Sequence, residues 1–268
     1  VTGVSSPSAA GTVTGEGAVV VGGAGIATVA TLTRPANTAS YTFTGWSGAF
    51  TTGSGTASGC SGAAATASVS ISAATAGAVY TCTATYNSLW NLAVSKTLTN
   101  GSTLVDPGTV TGSGISCGAD CSENGLTTAT TVTLTAPNVP SGGGFSFVGW
   151  SGTATGCTGP GASVTVSTGG TAGATYFCNA QWAQTATVVG AATPAAVGPV
   201  TGGGTVIVGG SGVATSVTLS KPANSGSYAF SGWSGSFTTG SGVATGCSGT
   251  GPTAVVSIAS ATANAVYT

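Results

Sequence analysis

A chain of 268 residues is long enough for two or three small domains, yet it carries three cations, four anions, a net charge of −1 and 47 glycines. So few basic side chains leave nothing to neutralise a phosphate backbone or an anionic bilayer surface, which excludes nucleic-acid and electrostatic membrane partners. Histidine is absent, so Ser-His-Asp and Cys-His nucleophile systems are excluded as well.

Valine, threonine and aromatics recur at period two, which favours strands over helices and predicts an all-β chain. Taken in order, residues 1–8 read as a linker or the tail of a first strand. Strands are then predicted near 19–21, 26–33, 41–46, 67–72 and 78–86, separated by turns rich in Gly, Asn, Pro and Ser. Residues 87–90 read as a short junction, with Trp90 packing where two modules meet. Further strands are predicted near 92–98, 108–112, 127–135, 145–150, 162–167 and 175–182, and 183–187 leads into a third set. Long uncharged stretches such as 186–220 are broken by Pro194 and Pro199, so no membrane insertion is expected. The chain starts at Val1 and contains no methionine, which suggests a mature product or a piece of a longer protein.

The third set is a copy of the first. Residues 1–81 align without a gap onto 188–268, an offset of 187 that carries Trp46 onto Trp233 and Cys60 onto Cys247, with more than half the pairs identical. The motif Gly45-Trp46-Ser47-Gly48 returns as Gly149-Trp150-Ser151-Gly152 and Gly232-Trp233-Ser234-Gly235, each after an alternating aromatic run and before a glycine-rich loop with one cysteine. Fixed-period self-similarity marks a repeat architecture. The expected layout is module A at 1–87, a more distant module B at 88–183 and module A′ at 184–268, each a small β-sandwich or β-grasp-like body. Trp46, Trp150 and Trp233 are expected to end their strands and plug the three cores.

Cys60 with Cys82, and Cys157 with Cys178, would tie the loop after each tryptophan to the last strand of its module. Cys117 and Cys121 would close a small loop in module B, and the offset sets the partner of Cys247 at position 269. Such bridges imply an oxidising compartment outside the cytoplasm. With no histidine and no C-x-x-C pair, a metal site is the poorer reading of these cysteines.

The runs Ile115-Ser116-Cys117-Gly118-Ala119-Asp120-Cys121, Thr131-Val132-Thr133-Leu134-Thr135-Ala136-Pro137 and Phe147-Val148-Gly149-Trp150-Ser151-Gly152 resemble the divergent InlB B-repeat modules of bacterial surface proteins. Closing strands such as Thr83-Ala84-Thr85-Tyr86 and Asn179-Ala180-Gln181-Trp182 are similar to those of that family. The resemblance implies compact β modules strung along secreted or surface-anchored proteins as spacers and adhesive stalks. This chain departs in its scarcity of charge and in carrying a cysteine on the closing strand.

No enzyme chemistry is expected. Ala49, Thr153 and Ser236 stand where a G-x-S-x-G elbow needs glycine. No Gly-Lys-Ser or Gly-Lys-Thr occurs, so there is no P-loop, and the four carboxylates are too scattered for a glycosidase pair in each module. Asp120 and Glu123 could at most help hold a calcium ion, and a solvated loop is the simpler reading. Asn100-Gly101-Ser102 fits both a glycosylation sequon and a hairpin turn. Arg34 and Lys221, at equivalent positions before proline, are expected to cap strand edges. Neither a cofactor nor a metal is expected. The functional expectation is a structural repeat segment of a secreted or cell-surface bacterial protein whose modules pack into a fibre, sheath or stalk, its partner being itself. The alternative is an adhesive or carbohydrate-binding module, with glycans stacking on Trp90 or Trp182.

Overall fold

A computed structural model of the chain describes residues 1–22, 28–99, 108–118, 121–127, 130–137, 144–167, 170–209, 215–224 and 226–268. The first strands are β1 (Thr2–Ser6), β2 (Val29–Thr33), β3 (Tyr41–Thr52), β4 (Gly55–Ser58), β5 (Thr66–Ala74) and β6 (Val79–Leu98). There follow β7 (Val110–Gly112), β8 (Ile115–Cys117), β9 (Ser122–Thr127), β10 (Val132–Thr135), β11 (Phe145–Gly152), β12 (Ser163–Val166) and β13 (Thr175–Val188). The last are β14 (Gly204–Ile207), β15 (Ser216–Ser220), β16 (Phe237–Thr239), β17 (Gly242–Thr245), β18 (Thr253–Ala261) and β19 (Val266–Tyr267). Among the described residues there is no α-helix, only short 3-10 turns at Ser8–Ala10 and Ala195–Val197. No helix there is long and apolar enough to cross a membrane.

The chain divides into two compact units. The first comprises Val1–Leu92, Glu123–Thr130 and Ser167–Tyr176. In it β5 pairs antiparallel with β2 and β4, and β6 lies between β1 (parallel) and β3 (antiparallel). Both sheets alternate buried and outward residues, as period-two patterning demands. Their inner faces meet in one core of Leu32, Val69, Ile71, Trp46, Ala84 and Tyr86, so the unit is a sandwich.

The second unit comprises Ala93–Ser122, Thr131–Val166 and Phe177–Thr268. Its first part holds the antiparallel sheet β12-β10-β7-β8 and the β11–β13 pair. Beyond Gln184, β13 changes partners. Thr185–Val188 pair antiparallel with β14, and Thr187–Val188 also pair parallel with β19. This pairing opens a second core of Val188, Val206, Leu219, Val256, Ile258 and Tyr267 beneath the sheet β15-β18-β17.

Several expectations are corrected. Residues 87–90, expected to be a junction, lie inside the 20-residue strand β6, and residues 2–6 are a full strand rather than a linker. The expected module borders at 87/88 and 183/184 both fall within continuous strands, β6 and β13. Residues 19–21 form no strand, although two of their three copies, 206 and 207, belong to β14, where β13 lies alongside. A strand needs a partner for its backbone groups as well as a favourable sequence. Strands β4, β8 and β9 were not expected, β4 and β8 being only four and three residues long and β9 carrying Asn and Gly at its centre.

Trp46 and Trp150 do not end their strands, because β3 continues to Thr52 and β11 to Gly152. Phe43 and Trp46 are three residues apart, so strict alternation would place them on opposite faces. Register shifts between Phe43 and Gly45, and between Phe147 and Gly149, insert one residue and turn both rings to the core. Gly149 makes this possible with φ +152°, and a Cβ there would lie 2.8 Å from the Gly159 carbonyl oxygen. Gly149→Ala should therefore lower stability by about 1–3 kcal/mol, read as a shift in the urea midpoint. An unchanged midpoint would remove the bulge glycine from this account.

Candidate functional site

Each copy of the Gly-Trp-Ser-Gly motif builds the same constellation. In the first unit Trp46 is buried, meets Phe43 edge-on at 5.8 Å, and donates its indole N–H to the Ala64 carbonyl oxygen at 2.9 Å. Phe43 in turn meets Tyr86 of β6 at 5.4 Å, and the Tyr86 hydroxyl donates to the Pro35 carbonyl oxygen at 2.6 Å. In the second unit Trp150 donates to Gly161, Phe147 meets Trp150 at 5.4 Å and Trp182 at 5.3 Å, and Trp182 donates to the Pro137 carbonyl oxygen at 3.1 Å. Tyr86 and Trp182 thus take one role: an aromatic body over the phenyl ring with its polar tip on a proline carbonyl.

The cysteines complete the plug. Cys60–Cys82 and Cys157–Cys178 join the loop after each tryptophan to β6 or β13, with Cα atoms 5.8 and 5.6 Å apart. Cys117–Cys121 closes the small loop, its Cα atoms 4.6 Å apart. All three expected bridges are present. On the closing strand the residue between cystine and aromatic that faces the indole is alanine, Ala84 opposite Trp46 and Ala180 opposite Trp150, and both are fully buried. Only a small side chain fits between a cystine and an indole at core packing density.

Trp233 sits in the same constellation but is half-exposed. It keeps its contact with Phe230 at 5.3 Å and its hydrogen bond to the Gly251 carbonyl oxygen at 2.9 Å. Trp46 and Trp150 are bridged on both flanks, to Gly62 and Ala84 and to Gly159 and Ala180, whereas among the described residues Trp233 is bridged only to Gly249. Cys247 carries a free thiol beside Tyr267. Burial pushes that thiol above the usual range, and the hydrogen bond with Tyr267 offsets part of the rise. A cavity of 310 Å³ is lined by residues 191–194, 221–224 and 228–234, Phe230 and Trp233 among them.

The two rings considered for sugar stacking are enclosed. Trp90 is 1 % exposed, lies edge-on to Tyr176 at 5.8 Å and donates to the Thr127 carbonyl oxygen at 2.8 Å, all within the first unit. Trp182 is 0 % exposed. Neither offers a face to a ligand in this conformation. Arg34 donates to the Pro35 carbonyl oxygen and Asn37 and lies over the Phe43 ring at 4.5 Å, while Lys221 repeats this with Pro222, Asn224 and Phe230. They roof the aromatic cluster rather than cap an edge. Lys96 was not singled out from sequence. Its ammonium donates to the carbonyl oxygens of Gly108, Cys117 and Gly118, holding the Cys117–Cys121 loop from across the fold, a contact no local motif announces. Asp120 and the Asn100-Gly101-Ser102 sequon lie outside the described residues. Among the described residues there is no group of three or more Cys, Asp or Glu able to hold a metal ion. Three disulfides fit a compartment outside the cytoplasm.

Comparison of the chain with protein-family models, with curated proteins and with solved structures finds no match.

Proposed function

We propose that the chain is a structural segment of a secreted or cell-surface bacterial protein, in which β modules of one chain or of many copies pack into a fibre, sheath or stalk. The observation that supports this best is the sheet β15-β18-β17. Not one of its residues is charged, its edge strand β17 carries Val243 at 57 % exposure, and its central strand β18 carries Val255 at 53 %. Soluble monomers ordinarily place lysine, proline or charge on such edges to prevent strand addition, and nothing of the kind stands here. The resemblance to bacterial surface repeats supports the same reading. The buried Trp90 and Trp182 speak against the adhesive alternative, which needs open indole faces.

Association driven by uncharged edges has a distinct signature. Sedimentation should show concentration-dependent self-association that persists from low to high salt, because there are few charges to screen. Val243→Lys should suppress it. A chain that stays monomeric at millimolar concentration would overturn the assembly reading, and specific retention on a polysaccharide matrix would revive the adhesive one.

A further inference from the structure

We propose a mechanical function: the chain bears tension along its own length, with the parallel pair β1–β6 acting as a clamp loaded in shear and Cys60–Cys82 limiting how far the clamped module yields. The same two devices recur at β13 with Cys157–Cys178. As a role this rests on the stalk reading above, but it is a property of one chain and needs no packing between copies.

Tension enters a module at its first strand and leaves at its last. In the first unit these strands are β1 and β6, and they run parallel, with Thr2 opposite Thr81 and Ser6 opposite Thr85. Drawing β1 back toward its N-terminal end and β6 forward toward its C-terminal end slides one strand along the other. All five paired positions then carry load together. Antiparallel terminal strands would instead be pulled apart from one end and open one bond at a time.

β1 is seated on its other sides as well. The Gly3 N–H donates to a Glu16 carboxylate oxygen at 2.7 Å, so alternation leaves the backbone groups of Thr2 and Val4 to bond β6. The Thr2 and Thr81 hydroxyls share a hydrogen bond of 3.0 Å across the pair. A Cβ on Gly3 would run into the buried Val13, which shows how closely β1 lies on the core.

β6 is one unbroken strand from Val79 to Leu98, so tension leaving the first clamp reaches the next without a loop. In the second unit residues 93–98 lie beside β13. Ser95 donates to Asn179 Oδ1 at 3.0 Å, and Asn179 Nδ2 donates to Thr97 at 2.8 Å. Thr99 N–H donates to the Trp182 carbonyl oxygen at 2.9 Å. Positions rise together along the two strands, so this pair is parallel too.

Each long cystine is anchored at its clamp. Cys82 lies opposite Gly3 of β1, and Cys178 adjoins Asn179. When a clamp slips, the loop between the bridged cysteines cannot lengthen. The bridges span separations of 22 and 21 residues, which withholds roughly 7 nm each at the reach of an extended chain.

The test holds single copies of the 268-residue chain between handles on its two ends. A second geometry pulls the N-terminal handle against one on an azide-bearing residue substituted for Ala76, in the exposed turn before β6, and so unzips β1 from one end. Rupture along the chain should need roughly twofold more force or greater, because five positions share the load rather than yielding singly. Val4→Pro removes one ladder donor at a position whose side chain is exposed, and should bring the along-chain force down toward the unzipping value. In dithiothreitol the withheld length should appear as a later, separate step, because the buried Cys82 is reached only after the module opens. The paired variant Cys60→Ala, Cys82→Ala should merge the two steps for that module alone. Equal forces in the two directions would overturn the clamp, and release of the full length in one step from the oxidised chain would overturn the limiter. Sedimentation judges the assembly reading separately: a monomeric chain that passes this test keeps the clamp, and a self-associating chain that yields equally in both directions loses it.

Discussion

Trp182→Ala should lower the unfolding free energy of the second unit by about 3–5 kcal/mol, the range for deleting a large aromatic from a packed core. The ring is fully enclosed, its loss strips the partner from Phe147 at 5.3 Å, and the Pro137 carbonyl oxygen loses its donor. Trp182→Tyr should be far milder, under about 1.5 kcal/mol, because a similar shape is kept and Tyr86 shows that a phenol hydroxyl reaches the equivalent carbonyl. Urea titrations followed by hydrogen exchange at β11 and β13 would separate the two. An alanine variant within about 1 kcal/mol of the parent would mean that the ring contributes little to the core, and the case for Trp182 as a structural anchor would fall.

The legible part of this fold was whatever the chain repeats. The Gly-Trp-Ser-Gly motif announces its own importance by returning three times, and the cysteines that follow it pair correctly because each sits at a fixed place relative to a predicted strand. The illegible part depends on neighbours distant in sequence. Tyr41, Phe43 and Trp46 look like an alternating strand with a terminal plug. Nothing local says that one residue is bulged out so that Phe43 and Trp46 share a face; that is decided by the register against Thr85 and Tyr86 of β6. Asn87 and Ser88 favour turns by composition, yet they stay extended because Tyr41 and Thr42 hydrogen-bond alongside. Residues 19–21 carry nearly the same residues as 206–208, yet only the latter set contributes to a strand, β14, where β13 lies alongside. Sequence sets the strand's capacity to form, and a partner decides whether it does. Trp90 and Trp182 could be read either way from sequence because an indole serves core and ligand equally well; burial separates the two.

Removing the Cys157–Cys178 bridge by paired alanine substitution should cost about 3 kcal/mol on the chain-entropy estimate for a loop of this size. The sequence separation is 21 residues, and both sulfurs lie in a fully buried site beside Trp150, where alanine adds no unpaired polar group. The Cys117–Cys121 bridge spans a separation of only 4 residues, so the same estimate gives about 2 kcal/mol. Both bridges belong to the second unit, so their effects can be compared in one unfolding transition. The difference in rank tests the mechanism better than either value, since packing loss scales with burial, and Cys117, Cys157 and Cys178 are equally buried. If the bridges act by restricting the unfolded chain, the longer loop has the larger effect. Equal losses, or a larger loss from the short loop, would mean that these cystines act as core residues first, and their value as staples for a chain with so few charges would have to be abandoned. The paired alanine variant of Cys60 and Cys82, at a separation of 22 residues in the first unit, gives an independent repeat and should match the Cys157–Cys178 result within about 0.5 kcal/mol.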